Sequence, residues 1–224
     1  MPFHIGDGYY MQLRLPLIAT FVLLVSLWPD FALTGRDRAV ALSLFLALGL
    51  ARTAIVGAAW WNVRGDVQAV REALRSVPAG ASVLPGRHEI AEDRVGSAPF
   101  GRYYAAHSMV GHFPELGVSQ QHAFVANVFA IPGQQPLRIR GRWAEMTEIH
   151  SDDPVRPSEL AAGSFPPTRA YMNNWRSFDY MLVINADLPD KDGGDFSAAD
   201  FERVSDQGFA VLYRIRRPAA AAQP

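Results

Sequence analysis

Residues 39 to 61 read AVALSLFLALGLARTAIVGAAWW, and this stretch decides how the chain is organised. It is 23 residues long with one charge, Arg52. At about 1.5 Å per helical residue that is enough to cross a hydrocarbon core of roughly 30 Å. Trp60 and Trp61 close it where an aromatic belt would lie. Arg52, nine positions before Trp61, must snorkel, pair with a neighbouring helix or meet an anionic lipid group.

Working back from this segment, Leu13–Trp28 reads LRLPLIATFVLLVSLW and reaches spanning length only if Phe31–Leu33 extend it past Pro29 and Asp30. A signal peptide would need a basic leader and a small-x-small cleavage site. The leader here holds His4, Asp7 and one arginine, Arg14, and no clean cleavage site follows. The expectation is therefore a transmembrane helical hairpin over residues 1–62, with helices at about 13–33 and 39–61. Arg36 and Arg38 in the short connection mark the cytoplasmic side and put both termini outside; Arg64, Arg71 and Arg75 pull the other way.

Charge follows the same division. Residues 1–62 hold seven formally charged side chains, against 36 in the remaining 162 residues, so the second part has the charge density of a soluble domain. A net charge of −1 and the lack of any basic block argue against nucleic acid as a partner. Arginine outnumbers lysine twenty to one, which we read as GC-rich bacterial coding. The absence of cysteine excludes disulfides, thiolate metal sites and cysteine nucleophiles.

Working forward, residues 63–217 alternate helix and strand signals and predict a small α/β domain of two or three layers, with a disordered tail at 218–224. Val67, Val70, Leu74 and Val77 share a helix face over Asp66–Val77, capped at Gly65 or Asp66. Ala81–Leu84 reads as a buried first strand, Tyr103–Gly111 as a helix and Leu116–Ser119 as a strand. Leu137–Trp143 alternates Arg138, Arg140 and Arg142 with Leu137, Ile139 and Gly141, as a strand with one wet face does. The stretch holding Pro154, Pro157, Pro166 and Pro167 predicts a loop. Asp179–Ile184 (DYMLVI) is the strongest central-strand signal, and Ala198–Arg203 reads as a brief helix. Phe209–Ile215 is a closing strand, hairpin-paired with Phe201–Ser205.

Among chemistry-bearing groups, His107, His112 and His122 are too widely spaced for a metal pair on one helix face. His88, Glu89, Glu92 and Asp93 could bind a metal or act as acid and base, or simply form a solvated loop. Asp187, Asp190, Asp192 and Asp195 miss the calcium-loop register, because Asp195 falls where the turn glycine belongs. Arg138, Arg140 and Arg142 could present guanidinium forks to lipid headgroups or a lipid-linked phosphate; the alternative is an edge strand guarded by charge. Together with Arg52 they are the candidate lipid- or phosphate-binding residues. No catalytic residue, metal ligand or cofactor is assigned.

The arrangement resembles the C-terminal region of bacterial polytopic GT-C-type membrane glycosyltransferases, the dolichyl-phosphate-mannose mannosyltransferase-like proteins. The likeness is carried by the helix end at Trp60-Trp61, the helix Asp66–Val77, the strand Ala81–Leu84 and the run Phe124–Pro136 (FVANVFAIPGQQP), then by the strand from Phe178 to Ile184 and the closing Leu212-Tyr213-Arg214-Ile215. It implies a polyprenyl-phosphate sugar donor and a catalytic acidic residue in the first extracytoplasmic loop. Asp7 precedes the first apolar segment and Asp37 lies in a connection of a few residues, so neither takes that role. The resulting expectation is a glycosyltransferase-related periplasmic domain, anchored in the bacterial inner membrane and not catalytic alone. It would assist a polytopic membrane protein or recognise a lipid-linked saccharide. The alternatives are a cell-envelope interaction module, or an enzyme built by the loops around His88–Asp93 and Asn173–Asp179.

Overall fold

The computed structural model describes residues 4–5, 8–9, 35–91, 109–128, 139, 141, 143, 154–163, 165 and 167–217. The chain divides into two compact units, Met1–Gly57 and Ala58–Pro224. The predicted helix at 13–33 lies outside the described residues, as does the tail.

In the first unit, β1 (His4–Ile5) pairs antiparallel with β2 (Gly8–Tyr9). The helix α1 runs unbroken from Gly35 to Leu74. The chain therefore has a single helix, among the described residues, that is long and apolar enough to span a membrane; an 18-residue window of it has mean hydropathy 2.1 and none of its residues is buried. Leu44, Phe45, Leu46 and Leu48 are all more than 60% exposed, on every side of the helix.

Two expectations are corrected here. Arg36 and Arg38 do not lie in a loop, because α1 begins at Gly35 and takes both into its first turn. Nor does a second helix begin at Gly65 or Asp66. A helical glycine costs only about 1 kcal/mol relative to alanine, and Val63, Asp66, Val70, Ala73 and Leu74 are buried along one continuous face, which outweighs it.

The second unit is built on a five-stranded sheet in the order β4-β3-β5-β7-β6, where β3 is Ser82–Arg87, β4 Phe124–Val125, β5 Tyr180–Ile184, β6 Phe201–Asp206 and β7 Ala210–Ile215. Strand β3 is parallel to both β4 and β5, while β7 is antiparallel to β5 and β6. All five residues of β5 are buried. Their alternation feeds two cores: Tyr180, Leu182 and Ile184 pack with Val70 and Leu74 of α1, and Met181 and Val183 pack with Met172, Trp175 and Phe196 on the opposite face. The unit is thus a mixed α/β fold with the sheet as its middle layer.

Strand β3 extends further than predicted, through Pro85 and Gly86. The Pro85 carbonyl accepts from the Val155 amide at 2.8 Å and the Arg87 amide donates to the Val155 carbonyl at 2.8 Å. Proline is tolerated because its donor-less nitrogen faces this edge, where the short β4 has ended.

Other local expectations fail. Leu116–Ser119 is not a strand but the start of helix α2 (Leu116–Gln121), ended by His122 at φ 50°. Gly117 lets α2 approach closely, since a Cβ there would sit 3.3 Å from Leu74 Cδ2. Within the proline-rich stretch, Pro157–Ala162 forms helix α3, with Pro157 in its first turn and the Glu159 carboxylate accepting the Arg156 amide at 2.9 Å. Pro167–Ser177 follows as a 3-10 helix. Ala198–Arg203 is no helix: a turn in which the Asp200 and Phe201 amides both donate to the Ser197 carbonyl leads directly into β6. Of the predicted strand Leu137–Trp143, the described Gly141 and Trp143 adopt 3-10 conformation. The predicted helix Tyr103–Gly111 is described only from Met109, where a 3-10 helix, Met109–Glu115, begins.

Candidate functional site

The described part of the connection from β3 to β4, including Val110 and Phe113, packs on the α1 face of the sheet; that from β4 to β5, including Met172 and Trp175, packs on the other. Because β4 and β5 flank β3 on opposite sides, the winding reverses at β3 and β5. In open α/β sheets the crevice outside the carboxyl ends of two such strands is where ligands bind.

That end holds a polar cluster. His88 follows β3, is 9% exposed and stacks on Phe196 at 5.9 Å. Its Nδ1 lies 2.7 Å from the Leu188 carbonyl. A carbonyl can only accept, so Nδ1 carries a proton and donates. The Glu89 carboxylate binds Arg156 at 2.5 Å and Lys191 at 3.1 Å. Burial pushes the Glu89 carboxyl up, but the hydrogen bonds and charges of Lys191 and Arg156 outweigh it and hold the group below its ordinary 4.5. Asp190, 4% exposed, accepts the Glu89 amide at 2.7 Å and the Asp192 amide at 3.1 Å. Asn185, in left-handed conformation at φ 58°, donates to the His88 carbonyl at 3.2 Å. Glu89 is thus a fixed anion with its charge matched, poorly suited to accept a proton. His88 keeps its second ring nitrogen, Nε2, without a hydrogen-bond partner among the described residues.

A second feature lies on the face away from α1. Helix α3, the 3-10 helix Pro167–Ser177 and the turn Asp195–Phe201 enclose a cavity of about 250 Å³. Asp195, Asp200 and Arg176 reach it, and Arg176 is paired with Asp200 at 2.8 Å while lying 4.2 Å over the Trp175 ring.

The residues expected to matter are dispersed. Arg52 lies in the exposed apolar part of α1. Arg138, Arg140, Arg142, His107, Glu92 and Asp93 lie outside the described residues. His112 is exposed and paired with Glu115 at 2.7 Å, and His122 ends α2. The loop Asp187–Asp195 is a turn in which Asp190 is committed to backbone amides. Among the described residues no group of three or more His, Asp or Glu is placed to hold a metal. The loops at His88 and at Asn173–Asp179 do not converge on one site: β3 and β5 are parallel, and His88 follows one at its carboxyl end while Asp179 precedes the other at its amino end. Five strand residues separate those ends, about 17 Å.

Arg156, Lys191 and Phe196 were not singled out in the sequence. Glu89 and Arg156 are 67 residues apart, and the bridge of Val155 to the edge of β3 opposite β5 brings their segments together. No family model, curated protein or solved structure matches this chain.

Proposed function

We propose that this protein is a membrane-anchored module of the bacterial cell envelope, glycosyltransferase-related and not catalytic alone. Its α/β unit works on the periplasmic side of the inner membrane, assisting a polytopic membrane protein or recognising a lipid-linked saccharide. The observation that carries the anchoring is the apolar part of α1: its most hydropathic window has no buried residue, although the second unit completes two cores of its own. Exposing an apolar window of eighteen residues to water at about 25 cal/mol per Å² is untenable for a soluble monomer, whereas lipid removes the cost. The resemblance to the C-terminal region of GT-C-type enzymes supports the placement and the partner class.

The cysteine-free sequence makes a direct test available. Ser119→Cys puts a single thiol on the exposed face of α2. Intact cells would be treated with a membrane-impermeant maleimide, and the carbonate-washed membrane fraction probed. The reading requires label on a chain that stays with the membrane. Label only after lysis would place the unit in the cytoplasm, and release by carbonate would remove the anchor.

A second reading, an autonomous enzyme, rests on His88. Its chemistry would lie at the carboxyl ends of β3 and β5, with Nε2 as the base.

A further inference from the structure

The geometry points to the cavity between α3, the 3-10 helix Pro167–Ser177 and the turn Asp195–Phe201 as a binding site for a small organic cation, an alkylammonium or guanidinium group, with Asp195 as its counter-ion. This goes beyond the anchoring function and does not depend on it.

Charge accounting comes first. Among the described residues, three ionic side chains line the cavity: Arg176, Asp195 and Asp200. Arg176 and Asp200 satisfy one another at 2.8 Å, and the guanidinium is held down on Trp175. Asp195, which is exposed, accepts from the Phe196 amide at 2.7 Å through Oδ1, which leaves Oδ2 with no cation beside it among the described residues. The charge is felt inside the fold. Burial, and after it the Asp195 charge, raises the Tyr213 hydroxyl above its ordinary value of 10.

The walls suit a cation with an apolar stem. Leu160, Phe165, Phe196 and Phe201 supply apolar and ring surface, and α3 contributes its carboxyl-terminal turn at Ala161 and Gly163. Apolar walls accept the stem of such a cation, and the last carbonyls of a helix present partial negative charge to its head. An anion would meet Asp195, and the Arg176 guanidinium beside it is already paired with Asp200. The size, about 250 Å³, admits a group of a few heavy atoms.

The test uses the full chain in phosphatidylcholine nanodiscs, titrated with n-butylammonium and n-butylguanidinium chloride and followed by amide chemical shifts; butyrate and glucose are the controls. Saturable binding of at least one cation, with the largest shifts at Asp195–Phe201 and at α3, is expected. Asp195→Asn, which keeps the hydrogen bond to the Phe196 amide, should weaken it at least tenfold, and Glu202→Gln on β6 should leave it unchanged. Should Asp195→Asn not fold, Ala161→Phe, which fills the cavity from the exposed side of α3, should abolish the same shifts. The assignment is overturned if neither cation saturates, if butyrate or glucose binds as well, or if the variant that folds binds like the parent.

Discussion

Asp179 and Ser82 form a reciprocal clasp across the amino ends of β3 and β5: Asp179 Oδ2 accepts from the Ser82 amide at 3.0 Å and from its hydroxyl at 2.8 Å, while the Asp179 amide donates to Ser82 Oγ at 3.0 Å. Ser82 is fully buried. These residues are 97 positions apart, so the clasp sets the register of the central parallel pair. Ser82→Ala removes the hydroxyl from both bonds, leaving Asp179 Oδ2 with the Ser82 amide and the Asp179 amide with the Ser82 carbonyl at 3.2 Å. A loss of about 1 kcal/mol is expected in urea unfolding. Asp179→Ala should cost at least as much, since it also frees Arg217, bound at 2.6 Å. A change under a few tenths of a kcal/mol would mean that the clasp holds no register.

At the other end of the same strands, Glu89 sits between Arg156 and Lys191 with its carboxyl held below 4.5. A carboxyl whose folded value lies below its unfolded one stabilises the fold at pH above the unfolded value, and that contribution is lost as pH falls through the folded value. The gap between the parent and Glu89→Gln in denaturation midpoint should thus be constant above about pH 5.5 and shrink progressively below 4.5. A gap equally wide at pH 3 would show that shape, and not charge, is what Gln replaces.

Strand β3 carries Gly86 against the second core, where an added Cβ would meet Met181 Cε at 3.1 Å and Val183 Cγ2 at 3.2 Å. Gly86→Ala should therefore destabilise by about 1–3 kcal/mol through overpacking, with Met181→Ala in the same chain recovering part of the loss. If Gly86→Ala alone raises the melting temperature, Met181 moves aside freely and the entropy gained from removing a glycine dominates.

Strong, uniform patterns were legible in the sequence. The run Asp179–Ile184 is apolar on both faces and became the buried central strand β5, and the alternation at Phe209–Ile215 became the hairpin of β6 and β7. Short or mixed segments were not legible. Four residues at Leu116–Ser119 carry too little periodicity to separate strand from helix, and the turn at Ser197 was concealed by helix-favouring alanines before the buried Phe201. At Gly65 a nominal helix breaker was overridden by packing on either side of it. Of the candidate site, His88 and Glu89 stood out as titratable neighbours, but their partners come from distant segments, Arg156 brought in by the Val155 bridge to β3 and Lys191 by the loop after β5.

For Arg138, Arg140 and Arg142 the expectation stands on their alternation in the sequence. Each arginine near an anionic surface adds about 1 kcal/mol to binding. Replacing all three with Gln should weaken binding of the purified chain to vesicles containing phosphatidylglycerol by one to two orders of magnitude and flatten its salt dependence. Equal binding by the two proteins would remove these residues from the lipid-facing surface.

The separation into units makes the role of the apolar helix measurable. Val63 is the first buried residue of the α1-side core, and the opposite core draws on nothing before Leu84. A chain beginning at Asn62 therefore keeps every described core contact. It also loses Leu44, Phe45, Leu46, Leu48, Leu50, Trp60 and Trp61, all more than half exposed in the full chain. The shortened protein should be monodisperse without detergent and unfold cooperatively, while the full chain should need detergent or lipid to remain dispersed. Aggregation of the shortened chain, with the full chain soluble in plain buffer, would show that residues 39–61 cover a protein surface and do not enter a bilayer.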